Sequence, residues 1–226
     1  MTASVLPTLS LLEARVLGVL VEKQHTVADA YPLSLNALLA GCNQKTSRNP
    51  VIEAAEDQVQ AAVDHLQRLS LVIESSGGRV ARYAHNIDRV LHLPPPSVAL
   101  LATLMLRGPQ TAGESRINGE RLHRFADIAS VESLLQDFAG RAAGPLALEL
   151  PRQPGARENR WAHLLSGAPM PEGASTAPSS SAGGADITVG ELAALKANVA
   201  RLEAEVASLR VTVARLCAEL GVHGDV

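Results

Sequence analysis

Seven basic residues could grip phosphate: Lys45 and Arg48 in a polar stretch, Arg79 and Arg82 beside a Gly-Gly turn, and Arg152, Arg157 and Arg160 around a Pro/Gly/Arg-rich stretch. Arginine suits that contact because its planar fork makes two parallel hydrogen bonds. Little else in the chain has the form of a reaction centre. The carboxylates are spread without a paired acid–base signature, and there is no glycine-rich phosphate loop or nucleophile elbow. The seven histidines do not cluster, and Cys42 and Cys217 lie far apart with no zinc spacing. We therefore expect no enzyme, no catalytic residue, no cofactor and no metal.

Composition narrows the partners. Of 226 residues, 46% are hydrophobic but only 2% aromatic, so the expected core is aliphatic and the rings are too few for base-stacking platforms of the RNA-recognition type. The net charge of −3 gives no global field for nucleic acid. It resides in the tail: residues 1–92 carry −1, residues 93–168 carry +1 and residues 169–226 carry −3. The longest uncharged apolar run, Val98 to Leu106, is too short for a membrane span. With no signal pattern at the N-terminus, a cytoplasmic protein is expected.

The elements that must position the basic residues recur. Arg79-Val-Ala-Arg82-Tyr83-Ala84-His85 matches Arg157-Glu-Asn-Arg160-Trp161-Ala162-His163. Upstream, Val59, Val63 and Leu66 match Val131, Leu135 and Phe138, and Leu71 and Ile73 match Leu146 and Leu148. The shared order points to two copies of one unit of about 80 residues. In the first, Ser10 caps a helix from Leu11 to Glu22 with Glu13 completing a capping box, a second helix spans Ser34 to Cys42, and a third Ala55 to Leu69. Strands over Leu71 to Glu74 and Arg79 to His85 follow. In the second copy the helices are Val98 to Arg107, Thr111 to Leu122 and Val131 to Gly140, and the strands Leu146 to Leu150 and Arg160 to Leu164.

That order is the order of a winged helix, with the third helix and the strand loop as the usual contact surfaces. The expected fold is mainly α with small β wings, as two tandem winged-helix domains over residues 1–92 and 93–166. His85 and His163 hold equivalent places, which reads as a repeated packing or hydrogen-bonding role. The loop Asn43 to Pro50 has no large apolar side chain; it reads equally as a recognition loop or a polar connector.

The segments Glu13-Ala-Arg-Val16, Tyr31-Pro-Leu-Ser-Leu-Asn-Ala-Leu38, Cys42-Asn-Gln-Lys45 with Arg48 and Pro50, Leu104-Met-Leu-Arg-Gly-Pro-Gln-Thr111 and Arg160-Trp-Ala-His163 resemble the YceH family. That is a bacterial family of uncharacterised proteins with tandem winged-helix domains. The resemblance covers roughly residues 9–167 and implies the fold, with little about the biochemical role.

Residues 167–186 are rich in Gly, Ala, Pro and Ser and read as a flexible linker. Beyond it, Leu192, Leu195, Val199, Leu202, Val206, Leu209, Val213, Leu216 and Leu220 alternate three and four apart. This heptad stripe predicts a coiled coil over residues 187–222, and β-branched a positions with Leu at d favour a parallel pair. The leading reading of the whole is a dimeric, DNA-associated regulatory protein, and the alternative is a protein-interaction scaffold. A dimeric regulatory protein would contact double-stranded DNA through its basic loops. A scaffold would instead dock a protein partner. The third helices weigh against DNA: Glu53, Glu56, Asp57 and Asp64 face Arg68 alone in the first copy, and Glu132 and Asp137 face Arg141 alone in the second. The heptad stripe carries a direct prediction: deleting residues 187–226 converts a homodimer joined through residues 192–220 into a monomer. Sedimentation at tens of micromolar checks it, and a full chain already monomeric there overturns it.

Overall fold

The structure is a computed structural model that describes residues 8–75, 80–153 and 155–168. The expected coil and most of the linker, with Cys217, lie outside the described residues.

The described chain is mainly helical, with two small antiparallel sheets. Helices α1 (Leu11–Thr26), α2 (Leu35–Cys42) and α3 (Glu56–Arg68) are followed by strands β2 (Val72–Ser75) and β3 (Arg82–His85), and a two-residue strand β1 (Leu33–Ser34) precedes α2. After the short α4 (Ile87–Leu91), helices α5 (Pro95–Arg107), α6 (Ala112–Gly119) and α7 (Ile128–Ala139) lead into β4 (Ala147–Glu149) and β5 (Trp161–His163). The succession of three helices and a hairpin thus occurs twice, a mixed fold consistent with winged-helix-like units.

Local chemistry explains the boundaries. Ser10 and Glu13 form the expected reciprocal box at the start of α1, with Glu13 N–H donating to Ser10 Oγ at 3.2 Å and Ser10 N–H to Glu13 Oε2 at 2.7 Å. Thr111 and Glu114 repeat this box on α6. Helix α5 starts three residues before the expected Val98, because Pro95 and Pro96 occupy first-turn positions whose N–H groups have no helical partner. Helix α7 likewise starts at Ile128, since the Asp127 carboxylate accepts from Ser130 N–H at 2.7 Å.

The strand registers reproduce the internal repeat. Tyr83 pairs with Glu74 and also with Leu33, so β3 lies between β1 and β2. Trp161 pairs with Glu149 and forms an isolated bridge with Gln110, just before α6. Gln110 therefore stands where β1 stands in the first copy. His85 lies opposite Val72, and His163 opposite Ala147. Val59, Val63 and Leu66 on α3 and Val131, Leu135 and Phe138 on α7 are all buried, as helical spacing requires.

The two copies share one hydrophobic core. Helices α1 and α5 cross closely at Gly18, where a Cβ would come within 2.9 Å of Leu106 Cγ. Leu17, Leu20, Leu100, Leu101 and Leu104 are fully buried around this contact. At the hairpin ends, burial pushes the His163 ring down to about 4, and its Nδ1 has no acceptor. Burial also lowers His85, against the opposing pull of Asp88. Both folded rings therefore take up protons less readily than the unfolded ones, which do so near the ordinary value of about 6.5. Stability is complete above that value and declines as pH falls toward the folded value. The His163 contribution alone predicts a loss of about 2 kcal/mol between pH 7 and pH 5, above the range where carboxylates titrate. Urea unfolding at the two pH values should show this loss, reduced in His163→Gln; equal losses in both proteins would remove the assignment.

Candidate functional site

The basic residues expected to form one contact surface are divided by the fold. Lys45, Arg152 and Arg157 are exposed and form no ion pair among the described residues. Arg152 and Arg157 line an open cavity of about 470 Å³ together with Glu132, Glu149 and Glu158, so their surroundings are not strongly positive. Arg82 is exposed on β3, but its Nη1 donates to the Pro32 carbonyl at 2.9 Å, bracing the hairpin against the segment before α2. Arg160 reaches the Glu114 carboxylate at 3.3 Å, a half-exposed pair of small energetic weight. Arg79 lies outside the described residues.

Arg48, expected at a contact surface, is instead buried and engaged within the chain. It is 6% exposed, and its guanidinium forks onto Glu22, with Nη1 to Oε2 at 2.7 Å and Nη2 to Oε1 at 3.2 Å. Its Nε and Nη2 also donate to the Gly41 carbonyl. The polar loop contained no apolar anchor, and this side chain supplies an ionic one. Burial pushes the Glu22 carboxyl up, but hydrogen bonds from Arg48 and Lys23 hold it below the usual range.

A second buried cation, missed by sequence reasoning, completes the anchorage. Arg15 on α1 is 1% exposed and donates to the carbonyls of Cys42 at 3.2 Å and Pro50 at 2.6 Å. Its position in a helix of apolar neighbours marks it only as a charged residue on a buried stripe. The Asn43 side chain closes the loop by exchanging hydrogen bonds with the Ala54 backbone, at 2.9 and 2.8 Å. Asn49 N–H donates to the Leu106 carbonyl at 2.9 Å, joining the loop to the second copy. Cys42 sits beneath, its thiol pushed up to about 12 by burial against the opposing charges of Arg15 and Arg48. Such a thiol is a poor nucleophile near neutral pH.

The outer faces of the third helices are acidic. Glu56, Asp57 and Asp64 are exposed on α3, with Arg68 at its last turn. Glu132 and Asp137 are exposed on α7, and Arg141 beyond its end turns to the Leu91 carbonyl instead. Among the described residues no group of three or more His, Cys, Asp or Glu side chains could hold a metal ion, and no helix is long and apolar enough to cross a membrane.

Comparison with known proteins now places the chain. A family model described as a protein of unknown function, DUF480, matches residues 9–156. A UPF0502 protein of Methylibium petroleiphilum is 61% identical over 217 residues, 96% of this chain and 92% of the relative. UPF0502 proteins of Dechloromonas aromatica and Burkholderia orbicola are 59% identical over 199 residues (88% and 91% covered) and 56% over 225 residues (99% and 94% covered). The chain belongs to the DUF480/UPF0502 family. This is the uncharacterised bacterial family, YceH, that its motifs resemble. The UPF0502 alignment from Burkholderia orbicola runs over 99% of the chain, so it includes the segment after residue 168 that the family model leaves out.

The Arg48–Glu22 pair gives the site its sharpest test. Arg48→Ala leaves a mostly buried carboxylate with Lys23 as its one remaining cation among the described residues and should cost up to about 3–5 kcal/mol in urea unfolding. The double variant Glu22→Gln/Arg48→Met should regain part of that loss. Wild-type stability in Arg48→Ala would show that the loop is held by other means.

Proposed function

We propose that this UPF0502 protein is a non-enzymatic docking protein built from two tandem winged-helix units, whose third helices offer acidic faces to a basic protein partner. The observation that supports this most is the charge of those faces. In a winged helix that reads DNA, the third helix lies in the major groove between two rows of phosphate. The exposed carboxylates of α3 and α7 would be repelled there. The same carboxylates complement lysine- and arginine-rich protein surfaces and would steer such a partner onto the helices. Pairing through residues 192–220 would place two such arms in one assembly, so that modest single contacts combine.

Association with double-stranded DNA in a regulatory role is the second reading. Exposed Lys45, Arg152 and Arg157 favour it, as sequence-independent phosphate contacts from loops. The two readings separate experimentally. The full chain, used as bait in nuclease-treated lysate, should retain its protein partner, and Asp57→Lys/Asp64→Lys should lose it. A mixed-sequence duplex should not bind the full chain near about 50 mM salt, where phosphate contacts are strongest. Duplex binding at that salt, falling steeply as salt rises, would replace the docking reading with the DNA reading.

A further inference from the structure

A cleft between the two copies holds an excess of positive charge that the docking function does not use. It is a cavity of about 120 Å³ lined from the end of α1 by Glu22 and Lys23, from the polar loop by Ser47, from the end of α5 by Arg107, and from α6 and the turn after it by Asn118 and Arg121. Its one lining carboxylate is already taken: Glu22 accepts the Arg48 fork from behind and Lys23 Nζ at 2.9 Å. Arg107 and Arg121 form no ion pair among the described residues. Arg107 Nη2 donates to the Ser47 hydroxyl at 2.8 Å, a neutral partner. Lys23, Arg107 and Arg121 thus line the cleft with Glu22 alone, whose charge Arg48 already offsets, in a chain whose overall charge is −3.

Helix ends do not account for this excess. Cations are favoured at helix C-termini, where α1, α5 and α6 finish around the cleft, but each end carries only about half a negative charge that fades within a turn. Burial pushes the Arg107 guanidinium down, with Glu22 opposing and Arg48 reinforcing. The group is therefore partly stripped of water, which strengthens its attraction for an arriving anion. Forked guanidinium donors, an ammonium and the Ser47 hydroxyl form a donor set suited to a tetrahedral oxyanion. The cavity has room for a phosphoryl group.

We infer that the cleft between the two copies binds a phosphoryl group, free or as the phosphate end of a small metabolite, with Arg107 and Arg121 as its principal ligands. The residues come from both copies, so an occupied site would tie them together. This is independent of the docking function, because none of these residues lies on the outer faces of α3 or α7.

Calorimetric titration of the full chain tests it, with inorganic phosphate in one arm and a phosphosugar in another at constant ionic strength. Saturable binding in either arm is expected, and the tighter arm identifies the source of the phosphate. Arg121 is exposed, so Arg121→Gln should fold normally. It should weaken binding on the order of tenfold, the worth of one charge-assisted hydrogen bond. Arg107→Gln should do likewise, and Arg152→Gln on the distant hairpin should change nothing. Absence of binding in both arms overturns the site. Equal affinity in Arg121→Gln and wild type, or binding of a DNA duplex but of neither small probe, overturns it as well.

Discussion

The described part of the structure depends on keeping a polar loop folded against a tightly packed helical core. Residues 43–55 run between α2 and α3 with few apolar side chains, so burial alone cannot hold them. Two guanidinium groups do so. Arg48 reaches back from the loop to Glu22 on α1, and Arg15 reaches out from α1 to the carbonyls of Cys42 and Pro50. Carbonyl oxygens, which the loop has in abundance, become the ligands of fixed cations. A buried ion pair adds little net stability over a well-packed apolar pair, but breaking it is costly. The arrangement therefore specifies one loop conformation more than it adds stability. That conformation presents Asn49 to the end of α5, and so the loop joins the two copies.

Much of this fold is legible in the sequence because its signals are local or repeated. The capping box at Ser10 and Glu13 involves only neighbouring residues. The offset that matches Tyr83 with Trp161 survives as identical strand pairing, since a slip of one residue would turn the buried ring outward. Residues that depend on distant partners are not legible. Arg48 reads as an exposed basic residue because nothing nearby reveals Glu22, which is brought to it by the return of α2 against α1. Gln110 gives no strand signal, because a single bridging residue has no alternation to display. The short α4 is hidden in the connection between the copies, and His92 after it adopts a left-handed conformation with φ of 51°.

Three of the candidate contact residues show the same dependence on distant partners. A list of arginines chosen by position assumes that each is free. Arg48, Arg82 and Arg160 instead satisfy acceptors of their own chain, each in another element. Conversely, Lys23, Arg107 and Arg121 attract no notice singly, standing at the ends of three separate helices. Only the crossing of α1 and α5 at Gly18 brings two of those helix ends to one cleft. Charge counted by region misses this as well, since the first copy carries −1 and the second +1 while their junction is strongly positive.

The two faces of the molecule then have opposite electrostatic character for different reasons. On α3 and α7 the carboxylates are outward and solvated, so each costs little to keep charged, and a partner must remove their water to gain the contact. In the cleft Arg107 is partly buried and has no carboxylate partner among the described residues, so the cost of its desolvation is already borne by the fold. An anion entering there recovers energy that packing α1 against α5 had left uncompensated. Binding of that kind stabilises the junction between the copies by mass action. A small anion and a macromolecular partner could thus act on one protein without competing, since the first would set how firmly the two copies are joined and the second would read their outer faces.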